Sequence, residues 1–323
     1  MTFVKKLLIN LDVYLDKRTG IITGDNTVPD SWGTYEIYTN LGKQTNQGVE
    51  FSATYKNNTG ALGYSIRGMA AYNHNVIDFM GEVLPKNDFT AQTGKVVGSR
   101  FGLISDGFYD IDDFNADGTL KAGLPTPAFG SVQPGDIKYK DLDKDGIVDN
   151  DDRTNIGLPA IPKLNYSLNA AFNYANFDFS FLFQGISGSS VNILNAQTRA
   201  FVGNGNAFPI AQGAWAYYPS EGIDTRSTAT YPRLTLLGND NNYRNSDFWI
   251  KDRDYVRLRY VELGYSLPQR FLDRAKMDKF RIFVNATNPF LISKFEKEYG
   301  MDPESVYGYP ALKSYNFGLS VTF

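Results

Sequence analysis

Leu164-Asn165-Tyr166-Ser167-Leu168-Asn169-Ala170-Ala171-Phe172-Asn173-Tyr174 runs through Ala175-Asn176 into Phe177-Asp178-Phe179-Ser180-Phe181-Leu182-Phe183-Gln184. In the first half Leu164, Tyr166, Leu168, Ala170, Phe172 and Tyr174 share one parity, with Asn165, Ser167, Asn169 and Asn173 between them. In the second half Phe177, Phe179, Phe181 and Phe183 share one parity, against Asp178, Ser180 and Gln184. A period of two is the signature of a strand, and two such strands joined by a two-residue turn make a hairpin. Four phenylalanines on one face exceed what a small aqueous core accommodates. The pattern therefore points to a sheet whose apolar face meets something larger than its own interior.

The same alternation recurs on either side. Leu7, Ile9, Leu11, Val13 and Leu15 alternate with polar residues, as do Val49, Phe51, Ala53 and Tyr55. After the turn Asn57-Asn58-Thr59-Gly60, the positions Leu62, Tyr64, Ile66, Gly68, Ala70 and Tyr72 form the returning face. Later strands are read at Tyr255 to Leu267, at Phe280 to Ala286, and at the terminal Tyr315, Phe317, Leu319, Val321 and Phe323. Met1 to Lys6 is read as strand and not as an export signal, since Asn10 and Asp12 break the apolar stretch that a signal requires.

The connections are unequal, short at 57–60 and 175–176 and long, rich in Gly, Asn, Asp and Pro, over 109–163 and 187–253. Short periplasmic turns opposite long extracellular loops are the asymmetry of an outer-membrane barrel. The fold class expected is all-β, an antiparallel transmembrane β-barrel, with residues 1–323 supplying roughly nine to ten strands of a larger one. Parity demands an even number of crossings between Tyr72 and Leu164. The candidate at Phe101 to Tyr109 accordingly either crosses together with Asp136 to Asp141 or forms a loop hairpin that does not cross. A secreted β-sandwich is the soluble alternative, because its strands alternate too.

Composition bounds the function. With 32 Lys and Arg against 35 Asp and Glu the formal net charge is −3, which supplies no basic field for nucleic acid. There are no cysteines, which excludes thiol chemistry and disulfides from the chain. The single histidine, His74, is read as a surface residue just beyond a strand end. Scattered carboxylates show no convergent pair of the kind glycoside hydrolysis needs, so no catalytic residue is expected.

The densest chemical signal is Asp141-Leu142-Asp143-Lys144-Asp145-Gly146-Ile147-Val148-Asp149-Asn150-Asp151-Asp152. Carboxylates at loop positions 1, 3, 5, 9 and 12, with glycine at 6, match the spacing by which a loop wraps a hard cation with oxygen ligands. The expected ligands are the side chains of Asp141, Asp143 and Asp145, the carbonyl of Ile147, Asp149 directly or through water, and Asp152 as the closing carboxylate. Ca²⁺ is the expected ion, Mg²⁺ the lesser alternative, and the role is structural, since a site saturated with protein oxygens leaves no open position for chemistry. Asp152 stands where an EF-hand carries a longer glutamate. The competing reading is a solvated acidic turn. Trp215, Tyr217 and Tyr218 could stack on a sugar ring, or equally pack the long loop onto itself.

Several separated motifs resemble the SusC/RagA-like TonB-dependent transporters. They are Asn46-Gln47-Gly48-Val49-Glu50; Gly135 to Gly146 with Asp152-Arg153-Thr154, Ile156-Gly157 and Pro159; Tyr255-Val256-Arg257-Leu258-Arg259 with Leu263-Gly264-Tyr265-Ser266-Leu267-Pro268; Asn288-Pro289-Phe290; Tyr299-Gly300-Met301-Asp302-Pro303-Glu304; and Asn316-Phe317-Gly318-Leu319. The resemblance implies the C-terminal part of a barrel of about 22 strands in the cell outer membrane, with the plug, the TonB-contacting segment and the signal peptide lying elsewhere. It implies import of oligosaccharide or peptide, a SusD-like surface lipoprotein as partner, TonB as energiser, and contacts with lipid and the remainder of the barrel. It also implies that Phe323 serves as an assembly signal. A calcium-stabilised secreted or surface β-protein that binds glycans is the alternative, and a secreted β hydrolase a more distant one.

Overall fold

The computed structural model describes residues 6–25, 37–83, 85, 87–194, 198–202 and 205–323; residues 1–5, read above as the start of a strand, lie outside that set. Eight long strands form one antiparallel sheet: β1 (Leu7–Gly24), β2 (Tyr38–Asn57), β3 (Leu62–Phe79), β4 (Leu164–Tyr174), β5 (Phe177–Ser187), β6 (Tyr255–Ser266), β7 (Lys279–Ile292) and β8 (Ser314–Thr322). Each pairs with its neighbour in sequence, so the sheet is an up-and-down meander. It is a partial barrel wall. Among the described residues no helix is long and apolar enough to cross a membrane.

Register carries one apolar surface across the wall. Leu11 pairs with Phe51, Phe51 with Ala70, and Ala70 with Tyr166. Further along, Phe172 pairs with Phe179, Phe179 with Leu263, Leu263 with Val284, and Val284 with Phe317. The opposite face is polar, with Asn10 beside Ser52 and Asp178 beside Gly264, and with Glu262, Asn285 and Asn316 in one row. Near the turn at 175–176 the apolar face gathers Tyr64, Phe172, Phe179 and Phe181 with ring centroids 5.8 to 6.4 Å apart. An aromatic girdle of this kind belongs at a lipid–water boundary.

The apolar belt has a readable upper edge. On β1 the outward residues are apolar from Leu7 to Leu15 and become Lys17 and Thr19; on the adjacent strands Leu15 pairs with Gln47 and Gln47 with His74. Nine residues at about 3.3 Å each, tilted by about 40°, span about 23 Å, the height of a barrel's lipid band. His74 therefore lies within β3 and not past its end, in the row of Leu15 and Gln47 where the belt turns polar. Its Nδ1 is buried without a hydrogen-bond partner. Alternation stops being apolar at that row, which is why periodicity alone ended the strand too early.

Eight crossings replace the expected nine to ten. The segments within 101–109 and 136–141 pair with each other in the loop region, Ser105–Phe108 against Ile137–Tyr139, and join no wall strand. They form the non-crossing hairpin that parity allowed. The turn between β6 and β7 holds a short helix, α1 (Gln269–Ala275), and the segment after β7 holds α2 (Lys294–Tyr299); neither was evident in the apolar spacing.

The buried core lies outside the sheet, in the long connections 80–163 and 188–254 with α2. Ile137, Val148, Ile193, Tyr231, Trp249 and Phe295 pack there. Their polar atoms are matched: Trp249 Nε1 donates to Asn242 O (2.8 Å), Tyr139 Oη to Asn241 O (2.8 Å) and Tyr231 Oη to Thr198 O (2.6 Å). Asp136, fully buried, accepts from Arg233 Nε (2.7 Å), Asn239 Nδ2 (2.8 Å), Asn242 Nδ2 (2.9 Å) and Gln133 N (2.8 Å). A buried carboxylate is tolerable only when its lone pairs are met in this way. That carboxylate ties the first long connection to the second.

Candidate functional site

The acidic loop is held at both ends. Ile147–Val148 runs parallel to Thr126–Pro127, and Val148 is fully buried in the core while Ile147 faces solvent. The sharp bend uses Lys144 (φ 64°) and Gly146 (φ 87°) in the left-handed region, where glycine carries no steric cost. Within the bend Asp141, Asp143 and Asp145 bring carboxylate oxygens within 4.8 Å of one another. Asp141 also accepts from Lys144 N (2.6 Å) and Gly146 N (2.9 Å), Asp145 from Ile147 N (2.8 Å), and Asp143 from Asp145 N (3.3 Å).

The carboxylates of Asp149 and Asp152 are not part of that trio. Asp152 is buried, accepting from Leu142 N (2.6 Å) and Asp143 N (3.3 Å) with Oδ1 and from Asp149 N (2.9 Å) with Oδ2; Asp149 accepts from Asp151 N (2.7 Å). Burial raises the Asp152 pKa against the opposing effect of those three N–H donors, and the charge of Asp141 adds to the rise. As arranged, Asp152 knots the loop's two ends together. The donor set at Asp141, Asp143 and Asp145 is all hard oxygen and fits a divalent cation.

Of the aromatic candidates, Trp215 is only 9% exposed, and a Cβ on Gly135 would fall 2.5 Å from its ring. Its faces are taken by packing. The Tyr217 ring carries the Arg226 guanidinium at 4.1 Å, while Tyr218 is open to solvent. Phe323 follows β8 and is 85% exposed, at the end of the row Tyr315, Phe317, Leu319 and Val321.

A further cluster joins two stretches that sequence reading treated separately. β6 has a bulge at Arg259, with Leu182 opposite Tyr260 but Phe183 opposite Leu258. A bulge re-aims a side chain, and here Arg257 and Arg259 converge on one loop. Arg257 pairs with Asp302 (Nη2 to Oδ1, 2.6 Å) and Glu304 (Nε to Oε2, 3.0 Å), and Arg259 pairs with Glu304. Tyr255 Oη donates to the same Glu304 at 2.5 Å. Asn288 on β7 adopts φ 51° and donates to Leu312 O (3.2 Å), drawing the loop's far end to the wall. Burial raises the pKa of Asp302, but N–H donors from Glu304 and Ala311 and the Arg257 guanidinium outweigh it, so the net shift is downward. The signal available in the sequence was the pair of arginines two residues apart and the Asp-Pro-Glu some 45 residues later; nothing local said that they meet. Lower on the polar face Arg281 bridges Asp178 and Glu262.

Comparison with known proteins agrees with this geometry. No family model matches the chain. TonB-dependent receptor P3 of Formosa agariphila is 26% identical over 99% of this chain and 33% of its own length. TonB-dependent receptor P26 of the same organism is 28% identical over 96% of this chain and 32% of its own. This chain is similar in sequence to TonB-dependent receptors over nearly its whole length. It spans about one third of the length of the curated relatives it matches. Among solved structures, the RagAB peptide importer superimposes with a TM-score of 0.66 in its closed-closed state and 0.68 in its open-open state. Both show 18% identity, cover 99% of this chain, and have 34% and 33% of their own chain covered. That likeness is one of fold, an antiparallel barrel wall. The relatives are named as receptors and importers, not as enzymes.

Proposed function

We propose that this receptor barrel imports oligosaccharide or peptide across the outer membrane, in the SusC manner, with a SusD-like lipoprotein over the loops and with energy supplied by TonB through a plug segment. The observation that carries the reading is the division of chemistry between the faces of one sheet. The outer belt is apolar across all eight strands, and the inner face presents Asp12, Glu50, Arg67 and Gln184 around a concavity of about 420 Å³. A wall apolar outside and polar inside encloses water, and a folded mass above it is where a solute would be selected. In this reading one Ca²⁺ on Asp141, Asp143 and Asp145 stiffens the outer loop and takes no part in transport; Mg²⁺ is the lesser candidate. Of Trp215, Tyr217 and Tyr218, Tyr218 remains available to a ligand.

The test is uptake by cells. Fluorescently labelled oligosaccharides and oligopeptides should accumulate in cells expressing the receptor, and loss of either the receptor or TonB should abolish accumulation. Uptake unchanged in both knockouts would sink the proposal. A purified protein monodisperse without detergent would favour the secreted glycan-binding alternative.

A further inference from the structure

Lys251 differs from the other shielded charges of the loop mass. Asp136, Arg257 and Asp302 all have counter-charges within 2.7 Å. Lys251 has no hydrogen-bond or ion-pair partner among the described residues. It sits on the short strand Ile250–Asp252, paired with Ser190–Asn192, so its backbone is held in the core's frame. Its Nζ lies 5.4 Å from the ring centroid of Phe248 and 5.9 Å from that of Tyr299. Two ring faces favour a cation but do not satisfy three N–H donors. Burial lowers the Lys251 pKa, and the charges of Asp247 and Glu298 oppose that shift only in part.

The amine borders a cavity of about 460 Å³ lined by Ile193, Ile210, Phe248, Trp249, Tyr299 and Glu298. The same lysine, with Tyr299 and Glu298, also borders an adjoining hollow of about 410 Å³. A ligand held at Lys251 can therefore extend along the groove without displacing the core. The larger cavity offers apolar and aromatic side chains beside Lys251, which suits an apolar side chain or the C–H face of a sugar ring, while Asp252, Asp254 and Lys294 line the adjoining hollow. Glu298 is paired with Lys294 (Oε1 to Nζ, 3.5 Å), which leaves Lys251 as the cation to meet a single negative charge and favours a carboxylate over a phosphate dianion.

We propose that Lys251, with the partly exposed rings of Phe248 and Tyr299, forms a binding subsite for a carboxylate attached to an apolar or ring-shaped body. The uptake reading supplies the two sources of that chemistry: the C-terminal residue of an oligopeptide, or a uronate in an oligosaccharide. Lys251 supplies the N–H donors to the carboxylate, and the rings take the body.

The test is calorimetric binding to the detergent-solubilised protein, using N-acetylphenylalanine against its amide and methyl glucuronide against methyl glucoside. At least one acid should bind saturably and about tenfold or more tighter than its neutral counterpart, the scale of a charged hydrogen bond. Lys251→Met, checked for native heat-modifiable migration, should lose that preference. Glu298→Gln, on the exposed side of α2, should bind the acid several-fold tighter. Preference for the acylated amino acid alone assigns a peptide end, preference for the glucuronide alone assigns a uronate, and preference for both assigns the shared chemistry. The subsite is overturned if neither acid binds, if acid and neutral forms bind alike, or if Lys251→Met retains the preference. Should Lys251→Met not fold, unchanged or weaker acid binding by Glu298→Gln overturns it. No step needs transport, so failure here and failure of the uptake assay are separate results.

Discussion

The wall and the loop mass above it bury opposite things. In the wall the large apolar side chains are open, Val13 at 73% and Phe317 at 73%, and the polar ones share the enclosed face. In the loop mass Trp249 and Ile137 are fully buried, and the fully buried charge of Asp136 is paired with Arg233. One chain thus obeys two solvents, and the hydrophobic effect reverses the sense of inside between them. A single rule of apolar burial applied along the whole sequence would misassign one region or the other.

The comparison is broken most severely by damaging the aqueous core. Trp249→Ala should cost the loop mass about 3 to 5 kcal/mol and open 188–254 to protease, while the wall still migrates as a heat-modifiable band. Loss of the folded band would show that wall and loops are one cooperative unit. Next in size is the anchor beneath the loop after β7. Asp302→Asn should cost about 3 kcal/mol, because Arg257 loses its shortest ion pair. The sign of its pH dependence follows from the lowered folded pKa. The contribution is complete above the unfolded carboxylate value of about 3.9 and is lost as pH falls through the lower folded value. Limited proteolysis at 293–313 should therefore stay slow from pH 7 to 5 and accelerate in wild type only below about pH 4; acceleration already at pH 5 would remove Asp302 from the role.

For the wall, Phe181→Arg should cost about 2 to 4 kcal/mol on the lipid face, whereas Ser180→Arg on the polar face should cost about 1 or less. Refolding into vesicles measures both, and equal penalties would erase the distinction between faces. The smallest effects belong to the acidic loop and the terminus. Chelation, or Asp141→Ala with Asp145→Ala, should remove one bound Ca²⁺ and speed amide exchange across 141–152 without moving the wall's melting point; unchanged metal content would reject the site. Deleting Phe323 should slow assembly of the barrel in pulse-labelled cells far more than synthesis, and wild-type kinetics would leave Phe323 as an ordinary girdle residue.

The wall was legible because its faces repeat every two residues, as at Phe177 to Phe183. The acidic loop was legible as a spacing, and the fold brings carboxylate oxygens of Asp141, Asp143 and Asp145 within 4.8 Å of one another. What did not show was contact across long separations. Arg257 meets Asp302, and Asp136 meets Arg233, only once the wall has brought the loop ends together. Trp215 looked available because a tryptophan in a glycine-rich loop carries no mark of burial; its partner Gly135 lies far upstream. Gly48 and Gly318 acquire reasons only in register, where the rings of Tyr14 and Phe283 lie across them and leave no room for a side chain.

The polar positions Lys17, Gln47 and His74, which close the apolar belt on successive strands, have a further consequence. A belt of about 23 Å is several ångströms short of an ordinary hydrocarbon core of about 30 Å. In such a bilayer Gln47 and His74 would be dragged into oil or the lipid would have to thin around the wall, and either response accumulates with every strand. The mismatch disappears in the thinner bacterial outer membrane. Belt height therefore acts as an address in thickness, which disfavours residence in a thicker bilayer before any receptor or chaperone is involved.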